Sequence, residues 1–168
     1  DSARQDAEFP GSLTQQQFDA NPRQASTPLD FGGLDSDRVT ALVEHRAGNV
    51  DLTAELSHRE KTVFATYHFT FNGLTSASPL SYDSRQTQFS PRLRHRAEFG
   101  GMLNELVTGV DLIRWNRDTT SGFSAAQAEQ DSKAFYLRDE IRWSAAHNGR
   151  LAAGVRRESF DKETTDPL

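Results

Sequence analysis

The sequence predicts an all-β protein: a segment of an antiparallel transmembrane β-barrel with about six strands. Three hairpins of alternating apolar and polar residues span Val39 to Leu56, Phe89 to Trp115 and Phe135 to Val155. The turn inside each hairpin is short, whereas the segments between hairpins are long and polar. Membrane barrels have short periplasmic turns at one rim and long external loops at the other. The pattern therefore indicates part of a barrel wall.

Composition is compatible with this prediction, although average hydropathy suggests a soluble, loop-rich chain. The 168 residues are 35% hydrophobic, and their mean hydropathy is -0.70. A spanning strand needs only about 9 to 11 residues with every second one apolar, so hydropathy averages do not detect it. The longest apolar run, Leu103 to Trp115, is interrupted by charged residues, and no transmembrane helix is expected.

Several classes of function are disfavoured by residue content. A net charge of -5 argues against nucleic-acid binding, and the absence of cysteine excludes disulfides and thiolate metal sites. No Gly-x-Ser-x-Gly motif occurs, so we expect no enzyme activity. We also expect no cofactor and no metal, because the histidines lack the spacing of metal ligands. They are His45, His58, His68, His95 and His147.

The first 37 residues are polar and show no sustained period, so residues 1–37 are predicted to be an external loop or an unpaired arm. No signal peptide is visible at the N-terminus, as expected for a mature or internal fragment. Residues 38–160 are predicted to form the partial barrel wall. Residues 161–168 are predicted to begin the next external loop.

The first hairpin reverses at Gly48-Asn49, a favourable two-residue connection because both positions tolerate positive φ. A two-residue turn places Val43 opposite Ala54 and Arg46 opposite Asp51. One face of this hairpin is then apolar and the other polar.

The second hairpin turns at Gly100-Gly101, which brings Arg96 near Glu105 and Ser90 near Asp111. Arginines toward lipid would be very costly, so this face is predicted to line the barrel lumen. The lumenal residues are Arg92, Arg94, Arg96, Glu105 and Asp111.

The third hairpin turns at His147-Asn148-Gly149. Asp139 falls on its apolar face, and a β-bulge is expected to shift the register there. Trp115 and Trp143 are predicted to lie near strand ends, where aromatic girdles occur.

Residues 59–85 and 116–131 are predicted to be external loops with strand extensions beyond the bilayer. External loops and lumenal aromatic residues are the natural places for ligand contact. The proposed ligand-binding residues are Tyr67, Phe69, Phe71, Tyr82 and Phe123. Loop packing or interface anchoring remains the alternative role for them.

Several segments resemble successive strands of TonB-dependent outer-membrane receptors. They are Glu105 to Asp111 after a Gly-Gly turn, Phe135 to Glu140, and Leu151 to Glu158. Pro10 to Thr14 followed by Asn21 to Ala25 is similar to an external loop in one subset of that family.

The resemblance implies a barrel of about 22 strands in the bacterial outer membrane, with an N-terminal plug domain. It implies import of a scarce nutrient such as an iron-siderophore complex, powered by the TonB complex. Its partners would be outer-membrane lipid, its own plug, TonB and the small-molecule nutrient. The predicted lumenal charges would face the plug. Neither a plug nor a TonB box is visible, and the smallest closed membrane barrels need about 8 strands, so we expect part of a wall.

Two alternatives remain open at this stage. A soluble β-barrel could bind a small apolar ligand, as lipocalin-like folds do, by turning the apolar face inward. A small complete barrel, either an enzyme or an adhesin, would need at least two more strands than the sequence supplies. Loop asymmetry favours the membrane barrel, since soluble barrels do not need all their short turns on one rim.

Overall fold

The computed structural model describes residues 1–122, 124–143 and 149–165. They form one antiparallel sheet of seven strands in sequence order, from β1 at one edge to β7 at the other. The strands are β1 (Ser2–Glu8), β2 (Phe31–Ala47), β3 (Val50–Phe71), β4 (Leu74–Phe99), β5 (Met102–Ser121), β6 (Ala125–Trp143) and β7 (Gly149–Thr165). A short helix, α1 (Gln15–Ala20), lies between β1 and β2.

Tight turns join β2 to β3, β3 to β4 and β4 to β5. Gly48 (φ 59°) begins the turn between β2 and β3, and Gly100 and Gly101 (φ 56° and 76°) form the turn between β4 and β5. Strands β3 and β4 are joined at the opposite end of the sheet by a turn at Asn72 and Gly73, both with positive φ. Glycine, and to a lesser degree asparagine, adopts this left-handed conformation at little cost. The predicted turn at His147 and Asn148 lies outside the described residues.

The predicted register of the first two hairpins is confirmed. Val43 lies opposite Ala54 and Arg46 opposite Asp51. Arg96 lies opposite Glu105 in the second hairpin. Because alternate residues of a strand point to opposite faces, this register separates an apolar face from a polar face in the part of the sheet near the Gly48 and Gly100 turns.

The apolar face is a broad band that continues from β2 to β7. Its register places apolar side chains next to one another on adjacent strands. The main members are Val39, Val43, Leu52, Leu56, Phe89, Leu93, Leu106, Val110, Leu112, Phe135, Leu137, Ile141 and Val155.

The sheet has almost no core of its own. Ala134 is the one buried hydrophobic residue among those described. The accessible surface is 12583 Å², whereas a compact monomer of this mass would expose about 8,300 Å². The sheet is open, and nothing described covers the apolar face. A lipocalin-like barrel would enclose its ligand with that face, so the structure does not have the architecture of the soluble alternative.

Three sequence expectations differ from the structure. Within residues 1–37, β1 pairs with the first part of β2, so this region is not an unpaired arm. The pairing of β6 with β5 and β7 is continuous, so the bulge expected at Asp139 is absent. Asp139 stays on the apolar face, where the Asn104 side-chain amide donates a hydrogen bond of 2.6 Å to its carboxylate. Trp115 lies within β5 on the polar face, so the girdle position predicted for it is wrong.

The strands also extend further than the sequence indicated. Most of residues 59–85 form the β3–β4 hairpin, and β5 and β6 continue through much of 116–131. Strand β7 continues to Thr165. Among the described residues, no helix is long and apolar enough to cross a membrane.

Candidate functional site

The polar face contains two regions of different character. They are divided by the row of Glu55, Ser90 and Asp111 on β3, β4 and β5. The first region, which we call the paired network, consists of the charged residues of the polar face between this row and the turns at Gly48 and Gly100. The second, which we call the outer polar surface, is the polar face of β3 to β7 on the other side of that row. The five predicted lumenal residues all lie on this face, in or at the boundary of the paired network.

Glu140 is the most enclosed residue of the paired network, with 2% of its surface exposed. Its carboxylate accepts hydrogen bonds from Arg142 Nε at 2.6 Å and from an Nη of Arg150 at 2.7 Å. Arg138 donates a third hydrogen bond. The three arginines come from β6 and β7. A buried carboxylate with several charge-assisted hydrogen bonds is strongly favoured in its ionised form.

A second cluster surrounds Asp51 beside the first tight turn. Arg46 Nε donates to Asp51 Oδ1 at 2.7 Å, and Arg96 donates to the other carboxylate oxygen. Arg96 also lies 3.8 Å from Glu105, its predicted cross-strand partner. Two of the predicted lumenal residues are therefore joined in one ion-pair chain that links β2, β3, β4 and β5.

Tyr136 contacts Arg92, another of the predicted lumenal residues. Its ring lies across Gly109, where a side chain would also come 2.8 Å from the Pro91 carbonyl oxygen. Its hydroxyl accepts a hydrogen bond of 3.1 Å from Arg92 Nε. An aromatic ring over a strand glycine fills space that the missing side chain leaves.

Asp111, Arg156 and Arg94 complete the network. Asp111 accepts a hydrogen bond of 2.8 Å from Arg156 Nη1. Arg94 is different, because its Nε is buried without a hydrogen-bond partner among the described residues. Most charges of the paired network therefore pair with an opposite charge, whereas Arg92 and Arg94 form no ion pair with a carboxylate among the described residues.

The predicted ligand-binding residues lie on the outer polar surface, but only part of the set comes together. Tyr67 and Tyr82 line a common concavity of about 230 Å³. Phe69 and Phe71 lie on the same face but nearer the tip of the β3–β4 hairpin, where Phe71 is 73% exposed. Phe123 lies outside the described residues.

The segment between β1 and β2 contributes a further aromatic residue, Phe9, to this concavity. Phe9 stacks on Tyr67 with ring centroids 5.8 Å apart. Its backbone N–H donates to the Asp30 carbonyl, and its own carbonyl accepts from Thr27 Oγ1. The carboxylate of Asp30 in turn accepts from the His68 backbone N–H at 2.7 Å. These contacts hold the base of the segment against β3.

Sequence analysis missed a basic group beside the two tyrosines. A second concavity, of about 280 Å³, is lined by Arg59, Lys61, Tyr82, Ser84, Trp115 and Arg117. The Arg117 guanidinium lies over the Trp115 ring at 5.6 Å. In the sequence these residues stand in polar stretches that show no hydrophobic period, and such stretches predict loops rather than strands.

The described part of the chain contains no group of three or more His, Asp or Glu side chains able to hold a metal ion. The outer polar surface instead offers cations, aromatic rings and hydroxyl groups. This set can bind an anion or a planar group without covalent chemistry.

Comparison with protein families matches residues 1–168 to the model described as TonB dependent receptor-like, beta-barrel. The ferric citrate transporter FecA in its unliganded form is a similar solved structure, with a TM-score of 0.77 and 16% identity; the match covers 96% of this chain and 26% of FecA. BauA, the ferric preacinetobactin receptor from Acinetobacter baumannii, matches with a TM-score of 0.65 and 11% identity over 83% of this chain and 26% of BauA.

The ferric-catecholate import receptor Fiu from E. coli K12 also matches, with a TM-score of 0.60 and 15% identity over 83% of this chain and 27% of Fiu. The chain therefore spans about a quarter of the length of these receptors. No curated protein matches the sequence.

Proposed function

The chain belongs to the TonB-dependent receptor family, through its β-barrel domain, and from this premise we propose that it forms part of the wall of an outer-membrane receptor that imports a scarce nutrient. In this proposal the apolar face contacts outer-membrane lipid and the polar face lines the lumen. The observation that carries the proposal is the uncovered apolar band beside a charged, largely self-paired opposite face.

The height of the apolar band supports this orientation. Along β4 the band extends from Phe89 to Phe99. Ten steps of about 3.4 Å, tilted by about 40°, give about 26 Å, which is close to the apolar band of about 25 Å in outer-membrane barrels. Phe99, Met102 and Trp143 lie at the edge of the band nearest the Gly100 turn, as expected for residues at a membrane interface.

The paired network is proposed to face the plug domain of the complete receptor. Its residues Arg92, Arg94, Arg96, Glu105 and Asp111 would fix the orientation of the plug more than they would stabilise it. Exposed ion pairs in a water-accessible lumen contribute about 0 to 1 kcal/mol each. Energy for transport would come from the TonB complex.

The imported nutrient is proposed to be an iron-siderophore complex. The similar receptors FecA, BauA and Fiu are described as handling ferric citrate, ferric preacinetobactin and ferric catecholate. Tyr67 and Tyr82, which lie beside the concavities of the outer polar surface, are the proposed ligand contacts from the original set.

Cysteine labelling on intact cells tests the orientation, because this chain contains no cysteine. In the full-length receptor, Thr75→Cys near the tip of the β3–β4 hairpin should react with a membrane-impermeant maleimide. Asn49→Cys in the tight turn between β2 and β3 should react only after the cells are opened. The reverse pattern would contradict the proposed topology.

Uptake measurements test the transport role separately. Deleting the receptor gene should reduce uptake of radiolabelled iron chelates by iron-starved cells, and the full-length gene should restore it. An uncoupler of the inner-membrane proton gradient should abolish the restored uptake. Restored iron uptake that persists with the uncoupler would argue against a TonB-powered route.

A further inference from the structure

We propose that the outer polar surface selects a negatively charged ligand, specifically an anionic metal chelate that carries aromatic or other apolar groups. Arg59, Lys61 and Arg117 are assigned to its charged part, and Tyr82 with Trp115 to its planar part. This inference rests on the proposed receptor function and deepens it by naming the charge class of the ligand.

The first observation is that the outer segments of the strands carry carboxylates on one face only. On the polar face of the described strands β3 to β7, no carboxylate lies beyond the row that contains Glu55, Asp111 and Glu158, on the side away from the Gly48 and Gly100 turns. The opposite face of the same segments carries three cations, Arg85, Arg114 and Lys133, and seven carboxylates: Glu60, Asp83, Asp118, Glu129, Asp131, Asp161 and Glu163. A chain with a net charge of -5 therefore presents a locally cationic surface.

The second observation is that these cations lack acidic partners. Neither Lys61 nor Arg117 forms an ion pair with a carboxylate in the described part of the chain, and Arg59 Nε donates only to Ser36 Oγ, at 3.2 Å. By contrast, each of the three arginines around Glu140 forms an ion pair with its carboxylate. Unpaired guanidinium and ammonium groups remain available to a ligand carboxylate, phenolate or catecholate oxygen.

The geometry suits a ligand with more than one anionic group. Lys61 and Arg117 lie on either side of Ser84 in one row across three strands. Their backbones are therefore about 10 Å apart, two strand spacings of about 4.8 Å. The concavity of about 280 Å³ lies between and around them. A compact metal chelate with several anionic groups can reach both cations at once.

Tyr82 joins this basic concavity to the apolar one. It lines both, and the apolar concavity adds Phe9, Val63, Tyr67 and Leu80. A ligand that spans the two therefore meets cations at one end and aromatic rings at the other. Flat, electron-rich rings with ionised oxygens fit both halves, since cations and aromatic faces both contact them favourably.

Binding of ferric chelates to the purified full-length receptor tests this proposal. The probes are ferric citrate and a ferric tris-catecholate, both anionic, and a ferric tris-hydroxamate, which is neutral. We expect an anionic probe to bind more tightly than the neutral one. The double variant Lys61→Gln/Arg117→Gln should raise its Kd by about tenfold or more, as expected for loss of charge-assisted contacts.

The matched control is Lys133→Gln, which removes a cation at the opposite face of β6. It should leave the Kd unchanged, and all variants should keep the heat-resistant gel mobility of the folded barrel. Three results would overturn the proposal: preferential binding of the neutral chelate, no effect of the double variant, or an equal loss in Lys133→Gln. Failure of every ferric probe to bind would also overturn it, while labelling and uptake would still report on the receptor role.

Discussion

The paired network and the outer polar surface lie on the same face of the same strands, and both are rich in arginine and tyrosine. They differ in whether a carboxylate lies beside the cations. Around Glu140 three arginines converge on one acid, whereas Lys61 and Arg117 flank only the hydroxyl of Ser84. An arginine on a barrel wall is therefore a structural or a binding residue according to its cross-strand neighbours.

The two regions should also respond differently to salt. The Glu140 carboxylate is enclosed and hydrogen-bonded to arginines, so its interactions are screened weakly, whereas exposed cations are screened within a Debye length of about 8 Å at physiological ionic strength. The paired network is suited to a permanent internal function. The outer polar surface is suited to reversible capture.

The largest expected effect on stability comes from Glu140→Gln. It would leave Arg138, Arg142 and Arg150 close together without their common acid, and like charges so placed repel. The urea midpoint of the full-length barrel should fall more than for any other variant proposed here. Glu98→Gln, an exposed polar-face acid near the second tight turn, is the control and should have little effect. Equal urea midpoints for Glu140→Gln and Glu98→Gln would contradict the structural role given to the paired network.

Gly109→Ala should give the next largest loss of stability. The added methyl would meet the Tyr136 ring and the Pro91 carbonyl oxygen, and overpacking of this kind costs about 1 to 3 kcal/mol. Gly154→Ala is the matched control, since its methyl would come no closer than 3.2 Å to the Leu137 carbonyl oxygen. Denaturant unfolding of both variants measures the difference. A loss as large in the control would show that strand glycines matter here for reasons other than the tyrosine.

Ser84→Asp converts part of the outer polar surface into a paired site. The new carboxylate would lie between Lys61 and Arg117 and would occupy both cations. Stability should change by at most about 1 kcal/mol, as for exposed ion pairs. Binding of an anionic ferric chelate should weaken by about tenfold. Unchanged binding would contradict the role assigned to the unpaired cations, and Thr87→Asp on the opposite face serves as the control.

The smallest effect is expected for Tyr136→Phe. The ring that covers Gly109 would remain, and only the hydrogen bond from Arg92 Nε would be lost. Because Arg92 is exposed, the loss of unfolding free energy should be about 1 kcal/mol or less. A loss as large as that of Gly109→Ala would mean that the hydroxyl, and not the packed ring, is the main contribution of this residue.

Much of the fold could be predicted from sequence because strand alternation and tight-turn chemistry are local. Gly48-Asn49 and Gly100-Gly101 determine their own registers, and the pairs Arg46–Asp51 and Arg96–Glu105 follow. The pairing of β1 could not be predicted in this way, since its partner is separated from it by the segment that contains α1. The bulge expected at Asp139 was wrong because the amide of Asn104, on a neighbouring strand, accommodates the carboxylate.

The binding surface was harder to predict than the fold. Arg59, Lys61 and Arg117 are separated in sequence, and they meet only because β3, β4 and β5 extend well beyond the apolar band. Polar residues beyond that band show no hydrophobic period, so a strand there looks like a loop. Tyr67 and Tyr82 stay predictions that rest on residue type alone, and the cations beside them were not predicted.

The confinement of carboxylates to one face of the outer strand segments has a kinetic consequence for the proposed receptor. In the proposed orientation, β3 to β7 would present cations and no carboxylate to an anion at their part of the lumen mouth. Such focusing can accelerate association by about 10 to 10³-fold. For a nutrient present at very low concentration, the frequency of productive encounters limits supply. The arrangement therefore favours a high capture rate at low ionic strength, and uptake should slow as salt is added.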